Sequence, residues 1–260
     1  MQVSTPTEPA TPFDDGALYD IFLGSLDHDF DFYLGLAHAA KGPVLDVCCG
    51  TGRITLPMRS AGVDVEGVDL SPAMLAVLQK KAAARGLTIP VIQGSMTSFQ
   101  LPRRFALITI CCNAFVHNLT TEDQIATLEC CRRHLLPGGL LAFDGFFPGP
   151  QIICATDNQR VLEIEIKHPE TGLPVRNYDN RRFDRVQQRQ HSLNELEFLD
   201  AAGKVIAVHR SETTVRWIYK FEMELLLRVA GFKRWEIYGD FGRRPLVDET
   251  SAMIVQAWND

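Results

Sequence analysis

The sequence predicts an α/β protein, a doubly wound parallel sheet with a smaller antiparallel insertion after its fifth strand. Three observations lead there. Between Val44 and Phe147, short β-branched runs alternate with helical segments, the pattern of a parallel sheet covered on both faces. "VLDVCCGTGRI", Val44 to Ile54, joins an apolar strand to a helix through a Gly-x-Gly turn. After Pro148 the rhythm changes to period-two alternation broken by turn signals.

Helical spacing of Tyr19, Phe22 and Leu23, then of Phe32, Leu36 and Ala39, predicts a helical cover from Phe13 to about Ala40. "VLDVCC" is the first strand, and Gly52 to Ala61 is expected to be helical. "VDVEGVDL" is the second strand. Ser71 then caps a helix with Pro72 at its first position and Met74, Leu75, Leu78 and Ala82 on its apolar side. "TIPVIQ" and "FALITICC" are the third and fourth strands. A helix follows with Thr121 and Gln124 as a capping box, and "PGG" ends it before "LLAFDGFF", the fifth strand. In the insertion, "VLEIEIKH", "NELEFLD", "KVIAVHR" and "TTVRWIY" read as four strands with one wet face. "RNYDNRRFDRVQQRQH" reads as a solvated strand face, because Asp179 and Asp184 interleave with its arginines. A helix, "FEMELLLRVAG", and two strands, "FKRWEIYG" and "SAMIVQAW", complete the pattern.

The chain has 260 residues, 46% of them apolar, enough for a full core. A formal net charge of −6 argues against a phosphate-backbone-binding surface covering the whole protein, though not against a local basic patch. There is no run of about 18 apolar residues, so no membrane span is expected. "MQVSTPTEPATP" lacks the basic and apolar regions of a secretory signal and reads as a flexible tail. Six of the seven cysteines form vicinal pairs without zinc-ligand spacing, which predicts a reduced, cytoplasmic protein with no metal.

The glycine-rich turn places backbone N–H groups and a positive helix end at the carboxyl edge of the sheet. Asp69, closing the second strand, suits the two hydroxyls of a ribose, so a nucleoside-containing ligand is expected there. A dinucleotide fingerprint needs a glycine where Thr55 stands. The spacing fits Asp-x-Gly-x-Gly-x-Gly with Cys48 in place of the first glycine. With "VEGVDLSPAML", "QGSM" and "LLPGGLLAFD" following in order, the chain from about Tyr19 to Trp258 resembles class I S-adenosylmethionine (SAM)-dependent methyltransferases, in particular small-molecule enzymes of the type 11 and type 25 kind.

The resemblance implies a Rossmann-like seven-stranded sheet, with a tail at 1–12, a helical cover and SAM-binding core at 13–148, an antiparallel lid at 149–219 and the closing helix and strands at 220–260. It implies cofactor contacts from Asp46, Cys48, Gly50 and Gly52 in the loop. Asp69 would take the ribose, Leu70 and Met74 the adenine, and Gly94, Ser95 and Met96 the adenine turn. Cys112 and Asn113 would lie beside the methyl group, and Tyr19 and Tyr33 would come from the cover. His117, in "CCNAFVHNL", is either a satisfied structural histidine or a base that orients or deprotonates the nucleophile. Phe146, Trp217 and Tyr219 are candidate substrate contacts, with Trp217 and Tyr219 expected on one strand face with Val215. The implied reaction is methyl transfer from SAM, with S-adenosylhomocysteine as product, to nitrogen, oxygen or sulfur of a small molecule. The sequence leaves open the oligomeric state, an RNA or protein substrate, and a non-catalytic SAM-binding role.

Overall fold

The computed structural model describes residues 10–24, 26–247 and 252–260, apart from the side chains of Gln151 and Ile153. Two helices, α1 (Gly16–Leu23) and α2 (Phe30–Ala40), precede the first sheet. Then β1 (Val44–Val47), α3 (Thr55–Ser60), β2 (Val65–Asp69), α4 (Pro72–Ala84), β3 (Val91–Gln93), β4 (Phe105–Ile110), α5 (Thr121–His134) and β5 (Leu135–Phe146) follow. The short α6 (Pro150–Ile153) leads into β6 (Arg160–Lys167), β7 (Pro174–Asp184), β8 (Arg189–Leu199) and β9 (Val205–Arg216). Last come α7 (Lys220–Val229), β10 (Arg234–Tyr238) and β11 (Ala252–Trp258).

The main sheet has seven strands in the order β10-β11-β5-β4-β1-β2-β3. β11 runs antiparallel to both of its neighbours, while β1 to β5 pair in parallel. Side chains alternate between two apolar layers, as period two requires. Leu45, Ile108, Phe143 and Val255 pack under α5 and α7, while Val44, Leu107 and Ala142 face α2 and α3. The second sheet, β6-β7-β8-β9, is antiparallel throughout and follows β5, as expected.

Several boundaries differ from the sequence reading. α3 begins at Thr55, because Gly52 at φ +87° lies outside the helical region. The cap of α5 is Thr120, whose hydroxyl accepts the Asp123 N–H at 3.1 Å, one residue before the expected box. "PGG" belongs to β5 itself, at a register shift opposite Phe105 and Leu107. The insertion has four strands, but "KVIAVHR" and "TTVRWIY" fuse into β9, and the arginine-rich segment supplies β7. That segment is a strand, as read, but its face is not wholly solvated: Asn177 and Asp179 of β7 are buried. β9 ends before Trp217, which is 2% exposed and packs against Phe183, and Tyr219 becomes the N-cap of α7.

All seven cysteines are free thiols, with Cys154 exposed. Among the described residues, no group of three or more His, Cys, Asp or Glu side chains could hold a metal, and no helix is long and apolar enough to cross a membrane.

Candidate active site

The loop after β1 turns through left-handed backbone at Cys48 (φ +57°), Gly50 (+53°) and Gly52 (+87°). A Cβ on Gly52 would meet Leu78 and Leu56 at 2.9–3.0 Å, so this glycine also allows α3 and α4 to approach the loop. Cys48 is the unusual member, since a non-glycine residue costs roughly 1–2 kcal/mol in this region. The backbone here asks for a residue tolerant of positive φ. The Cys48 thiol lies 3.9 Å from the Met96 sulfur, and burial pushes its pKa up, so it stays protonated. Cys48→Gly should therefore stay within about 1 kcal/mol of wild-type stability, relief of strain offsetting lost packing and gained chain entropy. Cys48→Val should lose more. Denaturant midpoints test both, and loss of cofactor affinity in Cys48→Gly and Cys48→Ala alike would show that the thiol itself is needed.

Asp46 lies buried beneath the loop. Its carboxylate accepts the Thr55 hydroxyl at 2.5 Å and the Thr109 hydroxyl at 2.9 Å. Burial pushes its pKa up to about 6, against the pull of those two hydroxyls. The folded value is above the unfolded one of about 3.9, so the neutral carboxyl favours the folded state below pH 4. That contribution is lost as pH rises through about 6. The swing is on the order of 3 kcal/mol, and Asp46→Asn should remove it. Urea midpoints of both proteins at pH 4 and pH 7.5 measure it, and a constant difference between them would refute it.

Asp69 accepts the Gly50 N–H at 2.7 Å on one oxygen and the Ser71 N–H at 2.9 Å on the other. It thus ties the glycine loop to the N-terminus of α4. The turn after β4 carries two successive left-handed residues, Cys112 (φ +61°) and Asn113 (φ +58°). Both of their amides donate to Asp144 on β5, at 2.9 and 2.7 Å, and the Tyr33 hydroxyl donates to the same carboxylate at 2.6 Å. A 3-10 turn, Ala114–His117, then presents His117. The His117 ring lies near the Thr214 backbone of β9 and meets the Phe13 ring edge-on at 5.2 Å. Burial lowers its pKa, and the Thr214 backbone only partly opposes this.

These groups surround a cavity of about 440 Å³. Of the residues picked from sequence, Tyr19, Asp46, Cys48, Gly50, Asp69, Leu70, Met74, Met96, Cys112 and His117 line it. Tyr33, Gly52, Gly94, Ser95 and Asn113 are not on its wall. Tyr33 is fully buried against Asp144, and the Ser95 hydroxyl is bonded to Thr97 at 2.8 Å. Sequence reasoning missed Thr11, Phe13, Asp14 and Arg53, which also line the cavity. Arg53 forms a bidentate pair with Asp29 at 2.5 and 2.7 Å and donates to the Leu26 carbonyl at 3.1 Å. No local pattern links Arg53 to a partner 24 residues away.

Part of the expected tail, residues 1–9, lies outside the described residues. Residues 10–14 form a strap: the Ala10 carbonyl accepts the Glu212 N–H of β9 at 2.9 Å, and the Phe13 carbonyl accepts the Ser71 hydroxyl at 2.7 Å. α1 is held to the loop through Asp20, which accepts the Thr51 hydroxyl at 2.5 Å and pairs with Lys81. Behind the strap lies a second cavity of about 360 Å³, walled by α1 and by Asn177, Asn194, Leu196, His209, Ser211, Thr213 and Val215 of the second sheet. Phe13, Tyr19, Cys112 and His117 line both cavities. Phe146, Trp217 and Tyr219 line neither.

Residues 44–139 match the family described as "Methyltransferase domain". The putative methyltransferase YqeM of Bacillus subtilis (strain 168) is 30% identical over 129 residues, 49% of this chain and 52% of that protein. The chain thus spans about half the length of such relatives. The cypemycin N-terminal methyltransferase of a Streptomyces species is 26% identical over 212 residues, covering 82% of this chain and 81% of that one. Among solved structures, the CcbJ methyltransferase of Streptomyces caelestis shares the fold, with a TM-score of 0.79 and 24% identity over 96% of this chain and 98% of that one. The seven-stranded order and the glycine loop closed by Asp69 agree with that family match, and residues 44–139 are a methyltransferase domain.

Proposed function

We propose that the chain transfers a methyl group from SAM to a nitrogen, oxygen or sulfur atom of a small molecule. The observation that carries this reading is the pair of cavities meeting at His117, one beside the glycine loop and one under the second sheet. The donor set fits the cofactor. Asp69 can accept ribose hydroxyls, Leu70 and Met74 offer apolar contact to adenine, Asp46 suits an ammonium, and Arg53 is the cation available to a carboxylate. A cavity of about 440 Å³ falls within the usual range for such ligands, about 300–1,000 Å³.

When bound, SAM supplies a methyl group on a sulfonium centre, already activated toward displacement. The protein is then left with alignment, exclusion of water and, where the nucleophile carries a proton, its removal. A neutral His117 has one ring nitrogen free to accept a proton. Burial favours that neutral form. The second cavity, about 360 Å³, suits an acceptor of small-molecule size. The relative named as an N-terminal methyltransferase favours nitrogen among the three nucleophiles.

Calorimetry should detect SAM and S-adenosylhomocysteine but not NAD, and Asp69→Ala should weaken SAM binding by about 1–3 kcal/mol. Methyl transfer is then followed by mass spectrometry over a panel of amines, alcohols and thiols. Binding of NAD without SAM would overturn the cofactor assignment. Tight SAM binding with no methylated product across the panel would leave a non-catalytic SAM-binding protein.

A further inference from the structure

β9 is an edge strand of the second sheet, so alternate residues turn their amides and carbonyls away from β8. The Glu212 N–H meets the strap at Ala10, and the Thr214 backbone lies near His117. Arg216, two residues further on, ends the strand and turns its side chain into the junction of sheet and core, where it is only 12% exposed. Its guanidinium donates to Gln124 of α5 at 2.7 Å, to Glu222 of α7 at 2.6 Å and to Gln188, just before β8, at 3.2 Å. Gln124 in turn donates to the Asn118 carbonyl at 3.2 Å, and Arg189 of β8 donates to the Leu119 carbonyl at 3.1 Å. Asn118 and Leu119 directly follow His117 in the chain.

We propose that Arg216 is a positioning residue for His117, fixing the second sheet to the core so that β9 stays against the ring while Gln124 holds the backbone behind it. The proposal rests on the reading of His117 given above. The planar fork of Arg216 spans three partners on three elements, which a lysine ammonium on a flexible stem cannot reproduce. The arrangement also gives the lid's attachment a role in the reaction. The ring is braced from the lid on one side and from α5 on the other, so loosening either arm misplaces the nitrogen that faces the acceptor. The titratable and charged groups sharing the two cavity walls with His117 are Asp14, Asp15, Tyr19, Asp46, Cys48, Cys49, Arg53, Asp69, Cys111, Cys112, His209 and Arg210. None of these is bonded to Arg216, and Arg216→Lys and Gln124→Leu, which keep the charge, separate a geometric effect on His117 from a Coulombic one.

The test uses the full chain with labelled histidine, the His117 ring signal being assigned by its loss in His117→Gln. In Arg216→Gln and Arg216→Lys, the His117 titration should move upward toward the solution value as the ring loses its packing. kcat should fall by about tenfold to a hundredfold with SAM affinity unchanged. Gln124→Leu, which cuts one arm and leaves the Arg216–Glu222 pair, should give a smaller change in the same direction. If Arg216→Gln is poorly folded, Gln124→Leu decides. Arg176→Ala, which breaks an exposed pair with Glu165 on the lid, should leave the signal alone. An unchanged His117 titration and kcat in folded Arg216→Gln, or in Gln124→Leu where it must decide, would overturn the proposal. If His117→Gln keeps full turnover, the reading of His117 as a proton acceptor fails, and the ring titration still reports whether Arg216 positions it.

Discussion

Replacing His117 with alanine should lower kcat by about 10²–10⁴-fold while SAM affinity stays within a few-fold. The ring lines the wall common to both cavities. On the function proposed above, a group in that place acts on the nucleophile, while Asp69 stands on another part of the wall. The direction of its pKa sets the pH profile. Burial lowers it, so the neutral, accepting ring persists below the ordinary histidine range, and the acid limb of kcat should lie below about 6.5. His117→Gln should keep a hydrogen bond to the acceptor yet lose that limb. Turnover near wild type in both variants, with the acid limb retained, would return His117 to a purely structural role.

Arg53→Ala should destabilise the protein by about 3–5 kcal/mol. The variant leaves the Asp29 carboxylate, 1% exposed, without its bidentate partner. It also frees the Leu26 carbonyl and removes the clamp between the start of α2 and the glycine loop. Asp29→Asn should cost less, because the amide can still accept from the guanidinium. Replacing both residues by apolar side chains of similar volume should recover most of the loss, since a buried ion pair contributes little beyond the penalty of breaking it. Guanidinium denaturation of the single and double variants measures this. A loss below about 1 kcal/mol for Arg53→Ala would mean that water reaches Asp29 in solution.

The main sheet was legible because its signals are local. "VLDVCCGTG" and "VEGVDLSPAML" each hold a strand, a turn and a helix start within a dozen residues, and buried parallel strands read as continuous apolar runs. The part of the site built on those turns was legible for the same reason. The rest depends on pairs far apart in the chain. Arg53 finds Asp29, Asp144 finds Tyr33 and Cys112, and Phe13 finds His117, with no periodicity to announce any of them. The second sheet was harder still. Asn177, Asp179 and Ser192 face inward and bond within the sheet or line the second cavity, so polar does not mean wet there. That inversion made β7 read as a solvated face; Trp217 packs at the root of the second sheet, and Tyr219, 39% exposed, caps α7.

β11 is placed in a slot. It pairs with β5 on one side and β10 on the other, and its middle five residues are buried. A ribosome delivers β10 before β11, so β10 emerges with no strand to join, while β5 shows an open, apolar edge. The four-stranded lid has already left the exit tunnel by then and can fold by neighbouring hairpins. The main sheet cannot close until β11 threads between two strands that preceded it. A chain that folds in the order of its synthesis should therefore meet a five-strand stage with a bare apolar rim, the stage most exposed to edge-to-edge aggregation.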